Sequence, residues 1–174
     1  PQVGSRHAGS TLLTWDLDGD QDREILLGDL TNENMVLLTN AGTPAEAWMS
    51  GQDPTFPKQG KPVEIPVFNA GYHLDTDGDG IRDFLAAPNS GGLAEDQENV
   101  WRYRNTGTEA QPEFTFQEDD FLVSDMIDLG TGAHPAFVDY NADGLLDLVV
   151  GNAVIYQEGG VIDPHIYLFE NTGS

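Results

Sequence analysis

The chain has 174 residues, with 30 Asp and Glu against 7 Lys and Arg and a net charge of −23. So acidic a surface repels nucleic acid and anionic lipid, which need a basic face to displace counterions, and it attracts divalent cations. The absence of cysteine excludes disulfides and thiolate metal sites, and no apolar run approaches the roughly 18–20 residues that span a membrane.

The predicted elements are short strands. STLLTW (10–15), EILLG (24–28) and NMVLLTN (34–40) open the chain, with a fainter fourth run around AEAWMSG (45–51). The segment 51–67, GQDPTFPKQGKPVEIPV, holds four prolines and reads as a connector. Tyr72 and His73 fall in the first strand of the next unit, and EFTFQ (113–117) forms its last. PAFVDY (135–140), LDLVVGN (146–152) and HIYLFEN (165–171) follow, the last placing Ile166, Leu168 and Glu170 opposite Tyr167 and Phe169. Runs rich in β-branched and aromatic residues, bounded by Gly, Asn and Asp, predict strands. No stretch carries the 3.6-residue period of an amphipathic helix.

Two motifs recur in phase. WDLDGDQDREILLGD (15–29), LDTDGDGIRDFLAAP (74–88) and VDYNADGLLDLVVGN (138–152) align, their first aspartates Asp16, Asp75 and Asp139 lying 59 and 64 residues apart. LLTNAGT (37–43), YRNTGT (103–108) and FENTGS (169–174) align as well, with Asn40, Asn105 and Asn171 spaced by 65 and 66. The shared period marks a repeat protein. The fold class is therefore all-β, built of propeller-type blades of four-stranded antiparallel sheets. Blade 1 is assigned to 1–50, the connector to 51–67, blade 2 to 68–120 and an incomplete blade 3 to 121–174. Three blades fall short of the roughly 4–8 that close a ring, so the expectation is a piece of a larger propeller.

Each unit carries a loop of the form D-x-D/N-x-D-x-x-x-D/E, at 16–24, 75–83 and 139–147. A hard cation such as calcium takes roughly six to eight oxygens at about 2.3–2.6 Å, and alternate residues of a short loop can supply them. The second loop offers Asp75, Asp77, Asp79 and Asp83 with the carbonyl of Ile81, and Gly80 for the bend. The third offers Asp139, Asn141, Asp143 and Asp147 with the carbonyl of Leu145, bent at Gly144. The first offers Asp16, Asp18, Asp20, Asp22 and Glu24; Gln21 replaces the bending glycine, so the looser site is expected there. An EF-hand would place an acid three residues further on, where this chain has Leu27, Ala86 and Val150. Calcium at about 10⁻⁴–10⁻³ M affinity would fill such loops outside the cell and leave them empty in cytosol, which predicts a secreted or surface location.

DLDGDQDREILLGD, DTDGDGIRDFLAAPNSGG and DYNADGLLDLVVGN, each followed by an N-x-G-T/S turn, resemble the FG-GAP/VCBS repeat family, whose repeats build the integrin-α-type β-propeller. The resemblance implies a calcium loop between the first two strands of each blade, with the carboxylates and Asn141 named above as side-chain ligands. It also implies a bacterial secreted or surface type of repeat, acting in adhesion, glycan binding or as a module of a larger exported protein.

The leading expectation is a non-enzymatic, calcium-stabilised extracellular scaffold for protein, glycan or self association. One rival is the subunit of a filament completed by neighbouring copies. Another is the propeller of a polysaccharide lyase or hydrolase, with Tyr72 and His73 as its catalytic pair; packing between sheets is the plainer reading of these two. His134 and His165 read as residues at the start of strands. Trp15, Trp48, Trp101 and Tyr103 read as packing residues before they read as a sugar-stacking platform.

Overall fold

The computed structural model describes residues 10–30, 32–66, 68–89, 94–157, 160–162 and 164–173. The first nine residues of blade 1, positions 90–92 of the second motif and Ser174 lie outside them. The described residues are all-β, in sheets whose strands pair antiparallel.

β1 (Ser10–Trp15), β2 (Glu24–Asp29), β3 (Val36–Asn40) and β4 (Met49–Asp53) form the first sheet in that order. β5 (Asn69–Leu74), β6 (Asp83–Pro88), β7 (Trp101–Asn105) and β8 (Phe114–Glu118) repeat the meander in the second. Period two decides which side chains go inward. In β1, Leu13 and Trp15 turn toward the core while Leu12 stays exposed, and in β2 Glu24, Leu26 and Gly28 are buried. The fourth strand of the first sheet starts four residues later than the expected AEAWMSG run, and Trp48 before it is exposed.

The two sheets share one core. Phe56 is its pivot, with ring centroids 5.2 Å from Phe84, 5.9 Å from Phe114 and 6.0 Å from Trp15. Edge-on ring contacts of this kind add about 0.5–1.5 kcal/mol each to the burial of the side chains. Phe56 comes from the proline-rich 51–67 stretch, as do the buried Val63 and Ile65. That stretch is thus a wall of the core as well as a link between sheets. The sheets approach most closely at Gly28, where a Cβ would lie 2.0 Å from the Asn69 carbonyl oxygen. The same carbonyl accepts a hydrogen bond from the Thr11 hydroxyl at 2.6 Å, and the Asn69 amide donates to the Glu33 carbonyl at 2.6 Å.

The third unit is built differently. β9 (His134–Val138), β10 (Asp147–Gly151) and β13 (Ile166–Phe169) form a sheet ordered β13-β10-β9, and a hairpin of β11 (Ile155–Gln157) and β12 (Gly160–Ile162) intervenes in sequence. The hairpin is absent from the sequence-based expectation. Val150 and Ile155 are buried, but β9 is exposed along its whole length, with Phe137 at 71%, and Ile166 at the start of β13 is 79% exposed. The expected alternation of HIYLFEN yields no buried face: of Ile166 to Phe169 only Tyr167 is half-buried. Asp96 ties this unit to the second, donating its N–H to the Tyr156 carbonyl and accepting the Tyr156 N–H on its carboxylate, both at 2.9 Å.

Candidate metal sites

All three acidic loops occupy the turn between the first and second strands of a sheet. The pairs Trp15 with Glu24, Leu74 with Asp83 and Val138 with Asp147 close the ladders, so the ninth loop residue opens the second strand each time. The backbone scaffold is common to the three. The first aspartate accepts backbone N–H bonds from within its own loop: Asp16 from Gly19 and Gln21, Asp75 from Gly78 and Gly80, Asp139 from Asp143 and Gly144. Such bonds require two left-handed residues, at the fourth and sixth positions. They are Gly19 and Gln21, Gly78 and Gly80, and Ala142 and Gly144. Gln21 therefore adopts φ 79°, a conformation that costs a residue with a side chain, and the first loop keeps the bend that Gly gives the others.

Two groups of carboxylates converge among the described residues. One oxygen each of Asp16, Asp18 and Glu24 lie within 4.8 Å of one another, and the same holds for Asp75, Asp77 and Asp83. Oxygens that share a cation at about 2.3–2.6 Å must lie within this range of each other, so both groups fit a hard metal ion. Asp20, Asp79 and Asp143 fall outside these groups and accept the N–H of the residue two further on, Asp22, Ile81 or Leu145. The bond from Ile81 is the main reason that the Asp79 carboxyl sits below its ordinary value. In the third loop the Asn141 amide donates to Asp143 at 3.1 Å and to Glu170 at 2.9 Å.

The closing acid separates the first loop from the other two. Asp83 accepts the Thr76 N–H on one oxygen and the Asn105 N–H on the other, at 3.2 and 2.8 Å, with the Thr76 hydroxyl also bonded to it. Asp147 repeats the pattern with Tyr140 and Asn171, both at 2.9 Å, and these bonds hold its carboxyl below the usual range. Glu24 accepts the Leu17 N–H at 2.8 Å on one oxygen; its other oxygen, Oε1, is buried without a hydrogen-bond partner. The side chain is only 2% exposed, and burial pushes its carboxyl up. Beside it both oxygens of Asp22 are buried and unpartnered, and burial together with the charges of Asp20 and Asp18 raises that group as well. A buried unpaired carboxylate is costly and calls for a cation.

The second loop is partly neutralised from within. Arg104 lies 3.0 Å from Asp77 and 3.2 Å from Asp79, and Arg102, on the same face of β7, is 4.0 Å from Asp77. The alternation in WRYRN, with two of the chain's few basic residues one strand step apart, was the signal for this contact. The recurring asparagines are clamps. Each donates its side-chain amide to the carbonyl before the closing acid, Arg23, Arg82 or Leu146. Its side-chain oxygen accepts the N–H of the glycine two residues on, Gly42, Gly107 or Gly173. Asn40 and Asn105 also accept a second N–H, from Trp48 and Glu113.

The remaining candidates separate. His73 lies between sheets, its ring 5.4 Å from Trp15 and 6.3 Å from Phe114, and burial followed by the Arg82 charge holds it below the ordinary histidine value. Tyr72 projects from the opposite face of β5 and is half-exposed, so the two do not converge on one substrate. Trp15 and Tyr103 are buried, Trp101 is half-buried beneath the Lys61 ammonium, and Trp48 stands alone, so the four form no platform.

No curated protein and no solved structure matches the chain. A family model, that of the FG-GAP-like repeat, matches residues 75–150, a span that takes in the second loop, the strands after it and the third loop. Over residues 75–150 the chain is similar to the FG-GAP-like repeat family.

Proposed function

We propose that this chain is a calcium-binding, non-enzymatic scaffold that works outside the cell or at its surface, in adhesion or association. The observation that carries the reading is the convergence of Asp16, Asp18 and Glu24, and of Asp75, Asp77 and Asp83, with the Glu24 Oε1 buried and unpaired. An oxygen-only donor set suits calcium better than magnesium, which demands a tight octahedron, and better than zinc, which prefers nitrogen and sulfur. When bound, calcium neutralises carboxylates whose mutual repulsion otherwise opposes folding. Its contribution is structural: it fixes the turn that sets strand register.

An extracellular setting follows from the affinity class expected of such loops and from the typical location of FG-GAP repeats. Among the described residues no helix is long and apolar enough to cross a membrane. The test is thermal unfolding in 2 mM calcium and in excess chelator. The reading predicts a lower midpoint in chelator, and equal midpoints would defeat it. A second reading, a subunit that assembles with copies of itself, draws on the apolar exposure of the third sheet at Phe137, Ile166 and Leu168. Sedimentation across a concentration series separates an assembling subunit from a monomer.

A further inference from the structure

A cleft of about 290 Å³ opens beside the first loop. Leu37, Phe56 and Phe114 wall it, Lys58 stands at it, and Asp18 and Glu24 form its acidic end. Those two acids are also two of the three that converge with Asp16. A cation held there would face the cleft. The third and fifth loop positions of the second site are covered by Arg104, whereas no basic side chain is paired with Asp16, Asp18 or Glu24 among the ion pairs of the described residues. Part of its wall, Phe56 to Gln59, comes from the proline-rich stretch.

Charge and coordination number decide what enters. Calcium takes roughly six to eight oxygens, and one oxygen from each of the three carboxylates converges here, so positions toward the cleft are open to water or to a ligand. Three carboxylates on a divalent ion leave one negative charge in excess, and Glu113 adds another at the wall. A ligand carboxylate would meet repulsion from both, the Lys58 charge being taken up by Asp53 at 3.3 Å; neutral hydroxyl oxygens would not. Vicinal hydroxyls can displace two waters from one ion, and the apolar walls suit the carbon skeleton that carries them. The geometry points to the first loop and its cleft as a calcium-dependent site for a vicinal diol on a small ring, the chemistry of one sugar residue. The inference rests on the calcium reading above and adds a ligand to it.

The experiment has two stages on the intact chain. Calorimetric titration with calcium comes first, followed by cis-cyclohexane-1,2-diol added to the calcium-loaded protein with amide NMR as the readout. Saturable shifts at Leu17, Thr39 and Phe114 are expected, at least fivefold weaker with cyclohexanol and lost in chelator. Thr39→Trp, which fills the cleft, should abolish them while calcium still binds. Lys58→Gln, an exposed change that folding tolerates, should weaken them a few-fold. Calcium binding without diol shifts, or shifts that survive chelation or are equal for cyclohexanol, would overturn the inference and leave the calcium reading standing. Absence of calcium binding would remove both.

Discussion

The first and second acidic loops share a backbone and differ in how their charge is met. In the second, donors hold both oxygens of Asp83 and Arg104 spans Asp77 and Asp79, so the loop is largely satisfied by the protein itself. In the first, Glu24 keeps one oxygen buried and unpaired, Asp22 keeps two, and among the described residues no arginine forms an ion pair with either. One extra methylene in the closing residue, with an aspartate where the others have Ile81 and Leu145, leaves the first loop with buried carboxylate oxygens that the second loop lacks. Sequence similarity between repeats therefore does not fix how their carboxylates are compensated; the partners around them do.

The asparagine clamps provide the largest test of what the loops share. Asn105→Ala removes two accepted and two donated hydrogen bonds from a buried site and should cost about 2–4 kcal/mol. Asn40→Ala should be close to it, and Asn171→Ala, which is exposed, well below; urea denaturation measures all three. The sharpest contrast is between the closing acids. In chelator, Asp83→Asn places an amide against donors and should lower stability by about 1–3 kcal/mol. Glu24→Gln under the same conditions removes a buried unpaired charge and should raise the midpoint by roughly 2–4 °C, while weakening calcium binding. Midpoints that move in the same direction would erase the distinction between the loops.

Arg104→Ala should tighten calcium at the second loop by up to about fivefold at low salt, the scale of an exposed ion pair, and leave the first untouched. Calorimetry at two salt concentrations reads this. The smallest effect concerns acid. His73 is held below the ordinary value by burial, so the unfolded chain takes up its proton first. Stability from this group is whole above about pH 6.5 and is lost as pH falls toward the folded-state value. In saturating calcium, His73→Phe should flatten the fall of the melting midpoint between pH 7.5 and 5.5 and preserve the ring contact with Trp15.

Most of the strands and the placement of the loops were legible because alternation and in-phase repetition report directly on strand faces and turns. β1, for example, spans the same residues that STLLTW marks out. Three features were not. The prolines of 51–67 signal an interrupted backbone and say nothing of depth, so the core role of Phe56, Val63 and Ile65 was hidden. The β11–β12 hairpin consists of two three-residue strands, too short for a period to show. At the site, the acids that could converge were readable from spacing, but their compensation comes from β7, about 25 residues away in sequence, and charge pairing at that range leaves only the faint trace of two arginines on one face.

The latch at Asp96 has a mechanical consequence. Hydrogen bonds of Asp96 with Tyr156, Gln97 with Asp128 and Phe121 with Val100 tie the third unit to the second, whereas the first two sheets are stitched by interleaved rings and a glycine contact. Stretching force along the polypeptide would reach the weaker junction first. The molecule would lengthen there, and rejoin when released, before the aromatic interior bore any load.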